Sequence, residues 1–390
     1  MLVKRGRIGA IVTAFVAATI LVSFAHQHDA SVASAAPVFG CSFPTHMAAS
    51  AEQTAWEFFV AANCRSAGKS PLVWENWIEQ DQLYTLRPGA TVQRFHASLL
   101  EQRFRQRHHH PALFAPNTGC NPMNGPPPNV IPNAIICEEV HINPSAAAFI
   151  RANQYQARSA QAAAARNHVD IQFPASAVEV KVDWIPATQF TTPFTCSNPP
   201  AGVHVETVAG VCYAMAGMHI SSKLLKDWLW ATFEPQSLLT NPLRCKTFGP
   251  CHDAWGAIPA VSGGNFTQMT PLLSRLFASA NIPPEFRNYR LDGVQIVFQN
   301  PNGSPTYLGN SVIEGENVGM TFNTASCITC HSHSTVKTNG ADGISYLNAP
   351  VGPRCRTAPG WIERDFVWSM LLGVPPPPRN APTPPPAPCT

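Results

Sequence analysis

The sequence predicts an α+β fold, with a helical N-terminal third followed by a largely antiparallel β-sheet. The helical part is clearest at residues 145–167, where alanines follow Pro144 at the first turn. The sheet is clearest at residues 178–184, where apolar and polar side chains alternate as in a half-buried strand. Residues 212–220 and 229–233 predict further strands, and the 38 prolines favour loops over long helices.

Three other stretches of the first third have helical character. Within residues 49–63, Trp56 and Phe59 recur at helical spacing, and Ser50 is placed to cap the first turn. Residues 73–84 and 92–107 are also predicted to be helical, whereas the stretch that follows, up to the alanine-rich helix, is predicted to be mostly loop.

The C-terminal part adds a turn and a short helix to the prediction. Residues 292–299 and 306–313 flank the dipeptide Asn302-Gly303, which is typical of a β-hairpin turn. Residues 361–372 predict a short closing helix with one apolar face. That face comprises Phe366, Val367, Met370 and Leu371.

The N-terminus has the layout of a secretory signal. Lys4 and Arg5 precede an apolar stretch at residues 8–25, and Ala33-Ser34-Ala35 supplies a small-x-small cleavage site. Residues 1–35 are therefore expected to direct export to the periplasm or beyond the cell. Contact with a membrane is expected only if this signal stays uncleaved.

Beyond the predicted signal the chain divides by composition. A lead-in at residues 36–47 precedes a mainly helical part at 48–170 and a part with the antiparallel sheet at 171–373. These two parts could form one composite domain. Residues 374–390 form a proline-rich tail of polyproline character.

The 12 cysteines fit an oxidising compartment. Cys327 and Cys330 belong to a separate motif, and the other ten could form up to five disulfides. Sequence order predicts local pairs: Cys41–Cys64, Cys120–Cys137, Cys196–Cys212, Cys245–Cys251 and Cys355–Cys389.

The pentapeptide Cys327-Ile-Thr-Cys330-His331 is the most informative motif of the chain. Its C-x-x-C-H spacing is the attachment signature of c-type haem. Each thiol can form a thioether with a haem vinyl group, and the adjacent histidine can bind the iron as an axial ligand. No second C-x-x-C is present to complete a four-cysteine zinc site. The sequence therefore predicts one covalent haem c, held by Cys327, Cys330 and His331.

The second axial ligand would decide between electron transfer and chemistry at an open iron. Met370, on the predicted closing helix, and His219, in a predicted strand, are the candidate sixth ligands, and His219 is also the candidate distal residue. Core packing is the alternative for both. Met320 lies too close to the motif in sequence, and Lys181 and Lys223 could reach a propionate but are expected to be solvated. Aromatic residues that could line the haem, or be plain core, are Trp184, Trp230 and Phe233.

Other polar groups are given ordinary roles. The three histidines at residues 108–110 could bind a divalent metal loosely, but the prediction is a solvated helix end. Glu138, Glu139 and His141 are expected to lead into the helix at Pro144. A net charge of +3 with 13% charged residues gives no reason to expect nucleic-acid binding. The chain also has no glycine-rich phosphate loop and no G-x-S-x-G, so nicotinamide and flavin sites have no support.

Several segments together resemble exported bacterial monohaem "cytochrome c family" proteins, a largely uncharacterised group. They are 55–60 (AWEFFV), 73–77 (VWENW), 179–184 (EVKVDW), 217–220 (GMHI), 230–234 (WATFE), 309–314 (GNSVIE) and 326–331 (SCITCH). The resemblance spans roughly residues 50–370. It departs at Pro235, where relatives often carry histidine, so any role of that histidine is absent or relocated here.

A shorter likeness concerns architecture. An antiparallel sheet, the C-x-x-C-H motif and then residues 365–368 (DFVW) are similar to the end of the cytochrome P460 and cytochrome c′-beta group. That likeness implies haem c held against a sheet, with one axial face open to small nitrogen compounds or nitric oxide.

Two functions are therefore expected. The first is a periplasmic monohaem cytochrome that transfers single electrons to and from a redox partner protein. The alternative is a haem-c oxidoreductase or gas-binding protein that acts on a small molecule such as peroxide, nitric oxide or a hydroxylamine-like compound. Cleavage of the signal would leave about 355 residues, whereas a simple carrier needs only about 100. The surplus favours the alternative.

Overall fold

The computed structural model describes residues 40–65, 71–85, 120–122, 129–208, 210–236, 244–247, 249–264, 266, 268–317, 324–341 and 361–373. Outside these ranges lie the predicted signal, the helix predicted at 92–107, the histidines at 108–110, Met320, the pair Cys355–Cys389 and the tail. Among the described residues, no helix has the length and apolar character needed to cross a membrane.

Helices and strands alternate along the described chain. The α-helices are α1 (Ala51–Asn63), α2 (Gln80–Thr85), α3 (Pro144–Ala152), α4 (Arg158–Arg166), α5 (Arg244–Thr247), α6 (Pro271–Ala278) and α7 (Cys327–His331). Short 3₁₀ turns cover Trp74–Asn76, Ala187–Gln189, Pro284–Asn288 and Trp368–Leu372, and a π-helix covers Ser311–Asn317.

The strands are β1 (Ile78–Glu79), β2 (Cys120–Pro122), β3 (Ile135–Ile142), β4 (Val178–Pro186), β5 (Val205–Val208), β6 (Val211–Ser222), β7 (Leu229–Pro235), β8 (Cys251–His252), β9 (Ala257–Ile258), β10 (Val261–Ser262), β11 (Gln268–Met269), β12 (Tyr289–Gln295), β13 (Thr335–Lys337) and β14 (Trp361–Glu363).

One antiparallel sheet organises the fold. Its strands follow the order β1-β3-β4-β6-β7-β12, with β2 paired to β3 and β5 paired to β6. Each of these pairings is antiparallel. Because β3 pairs with β4, strands from both the 48–170 and the 171–373 stretches join in this sheet. Together with the helices, this architecture confirms the α+β prediction.

Helix α1 covers one face of the sheet, which we call the α1 face. Ser50 caps the helix as predicted, since its hydroxyl accepts a hydrogen bond from the Gln53 amide at 3.1 Å. The Phe59 ring lies 4.3 Å from that of Phe233, centroid to centroid. Apolar side chains of β4, including Val180 and Val182, belong to the same buried cluster. Alternation along the strands therefore directs this apolar set toward α1.

The opposite face of the sheet carries the polar side chains that alternate with these apolar ones along β4. We call it the motif face, because the C-terminal segments that include α7 cover it. On β7, Trp230 and Thr232 point to this face. On β12, the Gln295 side chain bonds to the start of α7. The candidate site lies here.

Three predicted elements are wrong in extent or type. The helix predicted over 145–167 is two helices, because Gln154 adopts a left-handed φ of 56° between them. The helix predicted over 73–84 is instead a 3₁₀ turn, the short strand β1 and then α2. The closing helix predicted over 361–372 consists of β14 and a 3₁₀ turn, since Ile362 pairs with Val336.

The predicted hairpin is correct only at its turn. Gly303 has a left-handed φ of 82°, as an N-G turn requires. The first arm is β12, which ends at Gln295, while Ser311–Asn317 is a π-helix rather than a strand. The predicted loop-rich stretch before Pro144 likewise contains β3, a strand inside the sheet.

Three of the predicted disulfides are present: Cys41–Cys64, Cys196–Cys212 and Cys245–Cys251. Cys137 is also disulfide-bonded, and Cys120 is the residue opposite it in the β2–β3 register.

Candidate functional site

The C-x-x-C-H motif forms the one-turn helix α7 on the motif face. Gln295, the last residue of β12, holds the start of this helix with both ends of its side chain. Its Nε2 donates to the Ser326 hydroxyl at 2.9 Å, and its Oε1 accepts from the Ile328 amide at 2.9 Å. The helix is therefore fixed to the sheet by a buried amide rather than by loop contacts alone.

Neither Cys327 nor Cys330 is part of a disulfide. Every other cysteine whose side chain the structure describes is disulfide-bonded. Cys327 is buried, and its thiol lies 3.5 Å from the Leu308 carbonyl oxygen. Burial, together with the charge of Glu314, raises the pKa of the Cys327 thiol well above its usual range. These two cysteines are thus set apart chemically from the cross-linking ones.

His331 is held in one orientation and one tautomer. Its Nδ1 lies 2.8 Å from the Phe366 carbonyl oxygen, which can only accept a hydrogen bond. Nδ1 therefore carries the proton, and Nε2 keeps its lone pair. The ring centroid of Trp230 lies 4.3 Å from that of His331. Burial lowers the pKa of His331 to about 3, so the ring is neutral at physiological pH.

A left-handed turn presents the Phe366 carbonyl to His331. Asp365 and Phe366 have φ angles of 50° and 69°, which non-glycine residues rarely adopt. The Asp365 carboxylate stabilises this turn from two sides. It accepts from the Phe173 amide at 2.7 Å and pairs with the Lys223 ammonium at 2.6 Å. The orientation of His331 is therefore supported by residues far away in sequence.

Beside the motif helix, the motif face carries a group of ionisable residues that we call the acid–base cluster. Its members are Glu138 on β3, Lys181 and Asp183 on β4, His219 on β6 and Glu314 on the π-helix. Lys181 Nζ lies 2.8 Å from Glu138 Oε2, and His219 Nε2 lies 3.4 Å from Glu314 Oε2. Three carboxylates thus share one lysine and one imidazole.

Asp183 is the most unusual member of the cluster. The residue is fully buried, and neither carboxylate oxygen has a hydrogen-bond partner among the described residues. Burial and the nearby charge of Glu138 raise its pKa well above the usual value, although Lys181 acts in the opposite direction. Burial therefore favours the protonated, neutral form of this carboxyl over the carboxylate.

The acid–base cluster is electrostatically linked to the motif. The charges of Lys181, His219 and Glu314 all influence the pKa of His331. Glu314 is held in place by the Asn310 amide, which donates to its Oε2 at 2.6 Å, and Asn310 in turn donates to the Thr232 hydroxyl at 2.8 Å. The cluster can hold and exchange protons close to α7.

The structure brings some candidates to the site and gives others a packing role. His219 lies on the motif face with Glu314, near the motif. Met370 is fully buried in an apolar cluster that includes Ile328 and Val336, as expected of a core methionine. Trp230 contacts His331, whereas Trp184 and Phe233 belong to the core of the α1 face.

Two expectations about charged residues are wrong. Lys223 is not solvated, because it is buried in the ion pair with Asp365, and Lys181 is only partly exposed and pairs with Glu138. Glu138, Glu139 and His141 do not form a lead-in to a helix, since they lie on β3 inside the sheet.

Sequence reasoning missed Asp183 and Glu314 as site residues. The signal for Asp183 lies in the β4 alternation, where the polar positions define one face. Solvent was assumed to cover that face, whereas chain segments from residue 308 onward cover it.

No protein-family model matches this chain, and comparisons with curated proteins and with solved structures likewise found no match.

Proposed function

We propose that this protein binds one haem c through Cys327 and Cys330, with His331 as axial ligand, and that it transfers single electrons. The observation that carries the proposal is the hydrogen bond from His331 Nδ1 to the Phe366 carbonyl. Metal-ligating histidines almost always donate their second ring nitrogen in this way, which fixes the tautomer and directs the other nitrogen at the metal.

Two further properties of these residues fit the group. Neither attachment thiol is in a disulfide, whereas the other cysteines whose side chains the structure describes are cross-linked. The neutral imidazole keeps its Nε2 lone pair across the physiological pH range. When bound, haem would supply one-electron chemistry at its iron. The chain itself would hold the imidazole orientation through Phe366 and exclude water with Trp230.

The cellular setting is part of the same proposal. An exported protein with disulfides would meet its redox partner protein in the periplasm or outside the cell. Kinship with the monohaem "cytochrome c family" proteins is proposed on the segments quoted above, since haem attachment at C-x-x-C-H is their shared chemical feature.

A second function, that of a haem-c oxidoreductase or gas-binding protein, is favoured by the acid–base cluster. An electron carrier has no need of three carboxylates, a lysine and a histidine, all buried or partly buried, beside its haem segment. Proton transfer to a small bound molecule would use such groups. His219 and Glu314 would then act as the distal acid–base pair.

Covalent attachment is tested by removing the thiols. Cys327→Ala with Cys330→Ala, expressed together with a cytochrome c maturation system, is expected to show no haem staining after denaturing electrophoresis. Cys196→Ala with Cys212→Ala is the matched control, because it also removes two cysteines but from a disulfide. Its band should stay haem-positive. A stained band from the first variant would overturn the proposal.

Carbon monoxide distinguishes the two functions. A large, rapid change in the absorption spectrum of the reduced protein on adding the gas would indicate an open iron face and favour the oxidoreductase or gas-binding function. An unchanged spectrum would indicate two strong axial ligands and favour the electron carrier. The sixth ligand would then be sought at His219 and Met370 by substitution.

A further inference from the structure

A second group of ligand-type side chains lies away from the motif helix. His204, just before β5, is close to Glu206 on β5 and to Glu75 in the Trp74–Asn76 turn. One ligand atom from each of the three lies within 4.8 Å of the other two. The His204 ring lies 6.0 Å from that of Trp184, which packs on the α1 face. This group is therefore separate from the acid–base cluster.

The His204 ring is firmly positioned. It stacks on the Phe286 ring with centroids 4.8 Å apart. The His204 carbonyl accepts from the Met215 amide at 2.9 Å, so the backbone is also tied to β6. A side chain held in this way loses little conformational freedom on binding a ligand.

The two nitrogens of this ring have different surroundings. Nδ1 lies 3.0 Å from Glu285 Oε1, a distance suited to a hydrogen bond that Nδ1–H donates to the carboxylate. Nε2 is buried and makes no hydrogen bond within the described part of the chain. Its nearest ion-pair oxygen is Oε1 of Glu206, at 3.4 Å. His204 itself is only 8% exposed, so water has little access to this nitrogen.

This arrangement matches the carboxylate–histidine–metal triad, in which a second carboxylate orients the ligating imidazole. A tetrahedral cation with bonds of 2.0–2.1 Å places neighbouring ligand atoms about 3.3 Å apart. The distance from His204 Nε2 to Glu206 Oε1 agrees with that spacing. Imidazole with carboxylates is a ligand set that suits zinc and its first-row neighbours.

We propose that Glu75, His204 and Glu206 bind one divalent cation of the zinc class, with Glu285 orienting the imidazole. The cation would link the turn at Glu75 to strand β5 and would serve as a structural cross-link. This inference does not depend on the proposed haem chemistry.

The competing occupant is a proton. Burial alone lowers the pKa of His204, but the contacts with Glu206 and Glu285 outweigh it and raise the pKa to about 9. Without a cation, His204 would therefore be an imidazolium. One proton offsets one carboxylate charge, whereas a divalent cation offsets two.

Zinc binding by the intact protein, as it is purified, decides between the two. The protein is stripped with EDTA and dialysed against Zn²⁺ of known free concentration, and bound zinc is measured by elemental analysis. One equivalent per chain is expected, with a rise in melting temperature of roughly 4 °C at saturation. Glu206→Gln should weaken the affinity at least tenfold and abolish the rise.

Matched variants test whether the zinc is bound by other histidines of the chain. His252 pairs with Glu52 at 3.2 Å on the surface, so His252→Gln removes a histidine–glutamate pair without touching the site. His108→Gln, His109→Gln and His110→Gln together remove the histidine run. Both should keep one equivalent. If Glu206→Gln fails to fold, Glu75→Gln takes its place. Absence of zinc from the wild type, or wild-type zinc affinity in a folded Glu206→Gln or Glu75→Gln variant, would overturn the metal site and leave His204 as an imidazolium.

Discussion

At the scale of single residues, Glu179 on β4 is a buried acid whose charge is costly. Its side chain is on the motif face, where the Ser369 hydroxyl donates to Oε1 at 3.1 Å. Burial raises the pKa of Glu179 from 4.5 to about 7, although the bond from Ser369 acts in the opposite direction. The folded protein therefore retains this proton to a higher pH than the unfolded chain does.

That difference makes stability depend on pH. The unfolded chain loses the Glu179 proton near pH 4.5 and the folded protein near pH 7. The contribution to the free energy of unfolding is complete below pH 4.5 and falls by on the order of 3 kcal/mol as the pH rises to 7. Glu179→Gln should remove this decline. In urea unfolding between pH 4 and 8, the free energy of unfolding of the variant should rise relative to that of the wild type as the pH increases.

An exposed acid supplies the control for Glu179. Asp170 is on the surface, so Asp170→Asn should track the wild type across the same pH range. A constant stability difference between Glu179→Gln and the wild type would contradict the effect of burial.

Single residues also show how far the site could be predicted. Cys327, Cys330 and His331 could be identified because their chemistry depends on local spacing. The carbonyl that orients His331 could not, since Phe366 follows by 35 residues. Its left-handed φ has no glycine to signal it. His204 and Glu75 meet only through tertiary packing.

At the scale of elements, the alternation of apolar and polar side chains predicted β4, β6 and β7 well. Burial of one apolar face fixes which side chains of a strand point to the core. The alanine-rich stretch predicted one helix but forms two, since no glycine or proline marks the break at Gln154. The closing helix failed for a different reason. Backbone pairing of Ile362 with Val336 outweighed the helical spacing of its apolar residues.

The turn between β8 and β9 supports α1, and Gly256 is its critical position. Trp56 Nε1 on α1 donates to Asp253 Oδ2 at 2.7 Å, and the Gly256 amide donates to Asp253 Oδ1 at 2.6 Å. A Cβ atom on Gly256 would lie 2.3 Å from Trp56 Nε1 and 2.5 Å from Asp253 Oδ2. No real side chain fits in that space.

Gly256→Ala should therefore separate Trp56 from Asp253. We expect a loss of about 2 kcal/mol or more in the free energy of unfolding, from overpacking and a buried donor left unpaired. Urea unfolding with intact disulfides measures this. Gly263→Ala is the matched control, because a Cβ there meets nothing within 4 Å. Equal stability of the two variants would show that the turn accommodates the added methyl group without a loss in the free energy of unfolding.

At the scale of the whole molecule, the two faces of the sheet have different tasks. The α1 face is mainly an aromatic core, whereas the motif face buries ion pairs whose partners lie far apart in sequence. The pair Lys223–Asp365 is the clearest case, because it joins the end of the β6 region to the C-terminal turn. Through Phe366, that turn reaches His331.

Breaking this pair should affect the protein well beyond Lys223. Lys223→Met leaves the Asp365 carboxylate buried without its cation, and we expect a loss of about 3–5 kcal/mol in the free energy of unfolding. Adding Asp365→Asn should restore part of that loss, because the uncompensated charge is then gone. Lys226→Met, at an exposed lysine three positions on, is the control and should cost little. A loss below 1 kcal/mol for Lys223→Met, measured by urea unfolding, would mean that the C-terminal segment holds His331 without this ion pair.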